Sequence, residues 1–412
     1  MRASLTLTAF TAIAVTAALT GCGSQGDGGD PASQELVIGS INALTGDLGA
    51  YGPPINRGIE VAIQQMNEAD AGISARFEDA DSESRAEGAV SAARKLVGSG
   101  AACLVGPLTT PEALAVLNGV TKARKISIFP EAGSVSLRDE DDDGTIFRVM
   151  PPDNLQGRAL AQAVSDGIGG AAGKKIAFAY QNSAYGKGLL DSFSSAWEAA
   201  GGTIDLTLGY APTAPTFESE AQKLTAEDYD ALVAVDYPET FGKLADALLR
   251  TGKYDPSKLY VTASLGLSPI PDAISPEALE GAHGVRPGTI TDTDAAKDFD
   301  GLASAHGERG AFDAQGFDAA MLCFLAAVAA GSTDPADINS HIADVANAPG
   351  TEYTYLELPE AIAALKAGED IDYTGASGPI ELDDNGDSAS GLYEEFVYKS
   401  GELTVQREIN VE

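Results

Sequence analysis

From Leu36 onward the apolar residues fall into short runs that alternate with stretches of helical spacing. Residues 36–41 read as a buried strand and 44–51 as a turn rich in Gly, Thr and Tyr. After Pro53-Pro54, the residues Ile55, Ile59, Ala62, Ile63 and Met66 recur on one helical face. Proline suits the first helical turn, where the backbone N–H groups lack partners anyway. The same rhythm continues along the chain. Strands are predicted over 75–77, 102–105, 126–129, 175–180, 204–210, 231–235 and 259–263, and helices over 84–98, 111–122, 155–168, 186–200, 239–251, 294–306 and 316–330. Alternating strands and helices predict an α/β fold of doubly wound parallel sheets. There are too many such pairs for one compact sheet, so two similar lobes are expected. Residues 378–405 read as a hairpin-rich end, with Asp383-Asp384-Asn385-Gly386 as a turn.

The ends and the charge narrow the class. Residues 1–21 hold Arg2 and then an apolar run, as a targeting segment does. Leu19-Thr20-Gly21-Cys22 resembles the lipobox of bacterial lipoprotein signals, which implies lipidation of Cys22 and an anchor that does not span the membrane. An ordinary secretory signal with a chance Cys is the alternative. Residues 22–35, rich in Gly, Ser and Asp, read as a flexible tether. The longest later apolar run, 319–330, is shorter than the ~20 residues of a spanning helix. The formal charge of −35 argues against nucleic acid or an anionic membrane surface as a partner. Cys103 and Cys323 lie in apolar segments and read first as small core residues. A disulfide between them stays open for an exported protein.

The wording of the first unit is distinctive: Gly39, then Leu44-Thr45-Gly46, then Tyr51-Gly52, then Asn56-Arg57-Gly58-Ile59-Glu60. It resembles the branched-chain amino-acid (Leu/Ile/Val) binding family of bacterial solute-binding lipoproteins that serve ABC importers. That resemblance implies a type I periplasmic binding fold, with two lobes joined by a three-strand hinge. Carried over by position, lobe one is 36–150 plus 288–375 and lobe two is 151–287 plus 376–412. It further implies an exported, lipid-anchored receptor that binds an amino acid or related small carboxylate or amide between the lobes and presents it to a permease. No cofactor is expected.

Loops at the carboxyl ends of strands carry the candidate ligand contacts. Gly106-Pro107-Leu108-Thr109-Thr110-Pro111-Glu112 contains capping signals, and its threonines cap a helix, meet a ligand, or do both. The resemblance gives Thr110 the role of a carboxylate-binding hydroxyl. It also points to Ala132, Gly133 and Ser134, although Gly133 stands where the family pattern has Thr. Phe147-Arg148, Asp153 and Gln156-Gly157 resemble the family's first crossover, with Arg148 holding the hinge and Asp153 facing the cleft. Ala184-Tyr185-Gly186 resembles a family motif whose Tyr presses on the ligand, and Tyr51 is a matching wall. Asp236-Tyr237 follows a strand, and Asp236 is the expected carboxylate for an ammonium group. Ser264 stands where amino-acid-binding members keep a Glu, so the ligand class stays open among branched-chain and other amino acids, amides or urea, and small aromatic acids.

Other chemistries fit less well. Asp139, Asp141 and Asp143 have calcium-loop spacing, but Met150 occupies the place of the closing Glu. Gly173-Lys174 is not a phosphate loop, because Ile168 and Lys175 stand where Gly and Ser or Thr belong. His283, His306 and His341 are the three histidines, and none sits in a hydrolase or metalloprotease motif. The expected protein is therefore not an enzyme. A sensor of the same fold, or a calcium-dependent scaffold or adhesion protein, are the alternatives.

Overall fold

A computed structural model describes residues 34–411, apart from 289–292 and 308. The expected targeting segment, Cys22 and most of the tether lie outside the described residues. Strands β1 (Gln34–Ser40), β2 (Ile73–Asp79), β3 (Ala101–Val105) and β4 (Ser127–Phe129) form a parallel sheet in the order β2-β1-β3-β4. Strands β5 (Lys175–Gln181), β6 (Thr203–Tyr210), β7 (Ala231–Val235), β8 (Leu259–Val261) and β9 (His283–Pro287) belong to a second sheet. The short strands β10 (Thr351–Thr354) and β11 (Ile371–Thr374) pair in parallel by themselves. The second sheet is completed by β12 (Gly391–Lys399) and β13 (Glu402–Val411), in the order β13-β12-β9-β8-β7-β5-β6. Strand β12 runs antiparallel to both of its neighbours, so this sheet is mixed at one side.

Strand side chains alternate between two cores. Leu36, Ile38, Cys103 and Val105 enter one, while Val37 and Leu104 enter the other. In the second sheet Ile176 and Phe178 part from Ala177 and Ala179 in the same way. Burial on both faces, as in β3 and β7, is what a parallel sheet covered by helices requires. The chain passes from the first sheet to the second between β4 and helix Asp153–Ile168. It returns after β9 to helices Asp294–Ala305 and Asp313–Ala330, and passes back between β11 and β12.

Helix Asp313–Ala330 is longer than the run at 319–330 implied, and by length and composition alone it is able to cross a membrane. In the fold 89% of it is buried, because it is the central helix of the first core. It packs closely on helix Gly52–Glu68 through glycines: a Cβ on Gly58 would lie 1.9 Å from the Asp313 carbonyl oxygen. The two cysteines correct the first expectation. Cys103 of β3 and Cys323 of this helix are joined by a disulfide, with Cα atoms 6.4 Å apart. Both are buried, so apolar surroundings alone did not distinguish a bonded pair from two core residues.

The carboxyl-terminal region also differs in detail from its expectation. Asp383–Gly386 does form a turn, closed by the Gly386 N–H donating to the Asp383 carbonyl at 2.8 Å. It is flanked by isolated bridges instead of strands, and the long hairpin is β12–β13, turning at Ser400-Gly401.

Candidate ligand cleft

Six helix starts and two strand-end loops place their residues around one cavity of about 50 Å³. From the first half, Tyr51 immediately precedes helix Gly52–Glu68, and Thr110 begins helix Thr110–Val116. Glu131, Ala132 and Gly133 follow β4, and Phe312 precedes helix Asp313–Ala330. From the second half, Asp153 and Gln156 stand in the first turn of helix Asp153–Ile168, Tyr185 in that of Ala184–Ala199, and Tyr237 just before Pro238–Thr251. Ala263 and Ser264 lie in a short turn after β8. Leu48, Leu108 and Met150 complete the wall.

The rings form two stacked pairs. Tyr51 and Phe312 lie 5.9 Å apart, and Tyr185 and Tyr237 lie 5.4 Å apart. The Tyr51 hydroxyl donates to the Ser264 carbonyl at 2.6 Å, a direct bond between the two halves. The Tyr185 hydroxyl donates to Thr262 Oγ1 at 2.9 Å and lies 3.0 Å from Ser264 Oγ, which itself donates to the Asp236 carbonyl at 2.6 Å. Gln156 Oε1 accepts the Ala263 N–H at 3.0 Å and fixes that turn.

The loop after β4 is held from below by Arg148. Its guanidinium is fully buried and makes a two-pronged pair with Asp387, at 2.6 and 2.5 Å. It also donates to the carbonyls of Ala132 and Ser134, at 3.3 and 2.8 Å. The Asp153 N–H donates to the Gly133 carbonyl at 2.6 Å. A Cβ on Gly133 would lie 2.2 Å from Asp153 Oδ1, so the carboxylate occupies the space a side chain at 133 would need.

Burial pushes the Glu131 carboxyl up to about 8, with the neighbouring Glu112 adding to the rise. Burial likewise raises Asp153 to about 7, partly opposed by Arg148. Glu131 Oε2 and Asp153 Oδ2 are buried without a hydrogen-bond partner.

Of the residues singled out in the sequence, the structure brings Tyr51, Thr110, Ala132, Gly133, Asp153, Tyr185, Tyr237 and Ser264 to this cavity. It places Thr109, Ser134 and Asp236 outside its wall. The Thr109 hydroxyl donates to Glu112 Oε2 at 2.6 Å within the capping box. Ser134 Oγ pairs with Ser136 Oγ at 3.0 Å and caps a short helical turn. Asp236 is enclosed behind the wall, accepting from the Tyr210 hydroxyl at 2.7 Å, Gln181 Nε2 at 3.0 Å and the Tyr237 N–H at 2.7 Å. Its carboxylate is thus engaged by its own half. Glu131 and Phe312 are wall residues that the sequence did not single out, and Gln156, noted there only as part of the first crossover, joins them. An acid inside the apolar loop that follows a buried strand was the available signal for Glu131.

In the acidic turn, Asp141 and Asp143 pair with Lys122 and Lys125, at 2.9 and 2.7 Å. Among the described residues no group of three or more His, Cys, Asp or Glu side chains is arranged to hold a metal ion.

Residues 35–391 match the model of a family described as periplasmic binding protein. The Leu/Ile/Val-binding protein BraC3 of Rhizobium johnstonii is 28% identical over 219 residues, covering 53% of this chain and 59% of that protein. Leu/Ile/Val-binding protein homolog 3 of Brucella melitensis is 30% identical over 169 residues, covering 40% of this chain and 45% of that one. The chain therefore spans only about half the length of these two relatives. The chemotactic signal transduction substrate-binding protein BasB of Halobacterium salinarum is 23% identical over 85% of this chain and 84% of its own length. In solved structures, the fold is shared with LivJ of Streptococcus pneumoniae in complex with isoleucine, at 20% identity and a TM-score of 0.73, over 92% of this chain and 99% of that one. A Rhodopseudomonas palustris solute-binding protein in complex with benzoate gives 19% identity and a TM-score of 0.70, over 91% and 96% of the two chains.

Proposed function

The chain belongs to the periplasmic binding protein family, and on that premise we propose that it is an extracytoplasmic receptor for a small organic solute, serving an ABC importer. The solute sits in the cavity between the first sheet's half and the second sheet's half, and binding is coupled to closure of the two as lobes. The observation that carries this reading is the wall itself, since Tyr51 and Phe312 come from one half and Tyr185 and Tyr237 from the other. A cavity of about 50 Å³ has room for a few waters. An amino-acid-sized solute enters only when the halves part, so the solute stabilises the closed state to the extent that it touches both. Amino acids are supported as the ligand class by the names of the Rhizobium and Brucella relatives. Lobe boundaries at 36–150 plus 288–375, and 151–287 plus 376–412, are part of the proposal. So are lipidation at Cys22 and attachment to the cell envelope by that lipid alone.

The BasB resemblance favours a second reading, in which the same receptor reports to a signalling partner. Both readings require a bound solute. Melting of the purified protein is to be followed against amino acids, amines, amides and small carboxylic acids, with calcium as a control. A solute at a hundredfold excess over its dissociation constant adds about 2.7 kcal/mol of stability. A shift restricted to one chemical class supports the receptor. A shift with calcium alone replaces it with the scaffold reading.

A further inference from the structure

Resting on the receptor reading above, we propose that the group seated at Glu131 and Asp153 is a positively charged nitrogen, so that the cleft takes a small organic amine or alkylammonium and requires no carboxylate on it. Both carboxyls line the cavity, at 5% and 1% exposure, and each aims one unpartnered oxygen into buried space. Among the described residues that line it there is no lysine, arginine or histidine. Arg148, whose field reaches Asp153, is already engaged by Asp387 and two backbone carbonyls. Around the carboxyls, the rings of Tyr51, Tyr185, Tyr237 and Phe312 offer the electron-rich faces that attract organic cations.

A ligand carboxylate placed here meets two acids, with Glu112 adding to the negative field at Glu131, and among the described wall residues no cation to pair with it. An ammonium group instead supplies N–H donors and charge to the oxygens that lack partners. An amino acid brings such a nitrogen, but it adds a carboxylate for which the wall provides only neutral groups such as Thr110. Proton linkage follows the same logic. Both acids favour their protonated forms in the buried site, so a cation displaces protons and binds more tightly as pH rises through about 7 to 8. A carboxylate ligand shows the opposite trend. The tyrosines facing Asp153 (Tyr185, Tyr237 and Tyr393) are all pushed upward by burial and stay neutral through this range.

The test is calorimetry on the whole protein with two matched sets of probes. One set is leucine, 3-methylbutylamine and 4-methylpentanoate, and the other is phenylalanine, 2-phenylethylamine and 3-phenylpropanoate. In at least one set the amine is expected to bind at least about tenfold more tightly than the acid. That preference is expected to grow as pH rises and to disappear in Glu131→Gln. Asp153→Asn serves as a second variant, and both replacements remove a titrating carboxyl without removing volume. Tighter binding of an acid, binding of an amino acid but not its amine, or an unchanged preference in both variants overturns the inference and leaves the receptor reading standing. Absence of binding by all six probes and by every solute in the melting screen overturns the receptor reading as well.

Discussion

Arg148 lies wholly inside the protein, and the carboxylate that neutralises it, Asp387, is 239 positions away in the chain. Removing one member of a buried pair leaves an uncompensated charge, which typically costs about 3–5 kcal/mol. Asp387→Ala is therefore expected to lower stability by about that much in urea denaturation, with less loss in Arg148→Met/Asp387→Ala. A bracing role for Arg148 was implied by the resemblance of its motif, and the structure supplies the carbonyls it meets, those of Ala132 and Ser134. Asp387 was not, because it sits just after an Asp-Asn-Gly turn where acids are ordinarily solvent-facing. The same limit hid Glu131. A carboxylate in a loop is exposed by default, and depth is decided by what packs over it from elsewhere in the chain. Asp236 shows the converse. Its place after a strand looked suited to a ligand, yet Gln181 at the end of β5 and Tyr210 at the end of β6 already hold it.

At the level of elements, the long periodic segments were readable because each buries a face of its own. Strand β7, for example, spans the residues 231–235 that its apolar run indicated. The short helices Pro335–Asn339 and Ile342–Ala346 were not readable, since a single turn has no periodicity to detect. Strand β9 escaped notice because it is short and its outer residues His283 and Arg286 are polar and half-buried. The link between β3 and helix Asp313–Ala330 is the Cys103–Cys323 disulfide, which closes a loop of 220 positions. Loss of a native disulfide typically costs about 2–5 kcal/mol. Cys103→Ala/Cys323→Ala is thus expected to melt at a lower temperature than the oxidised protein, with reductant shifting wild type toward the variant and leaving the variant unchanged. Neither cysteine lines the cavity, so solute affinity at a temperature where both proteins are folded is expected to stay the same.

At the scale of the whole molecule, two buried acids in the cleft and Asp318 in the first core all titrate above their ordinary range. A carboxyl raised in the folded state adds stability that is fully present below its unfolded value and is lost as pH rises through the folded one. With Glu131 near 8, Asp153 near 7 and Asp318 near 6, the solute-free protein is expected to lose melting temperature between about pH 5 and pH 8. Glu131→Gln is expected to flatten part of that decline. A wild-type slope in this variant places Glu131 in solvent.

Two sheets, three passages between them and a cavity walled from both sides converge on one claim, that a small solute is held between the halves. The affinity of the best-binding solute for Tyr237→Ala, measured by calorimetry beside wild type, tests it most directly. Tyr237 contributes a ring to the wall from the second half, against Tyr185. Burying an aromatic side chain is worth roughly 1.5–3 kcal/mol, so the account predicts a loss of about tenfold or more in affinity from a variant that still melts cooperatively. Wild-type affinity in that variant places the solute elsewhere and contradicts the account.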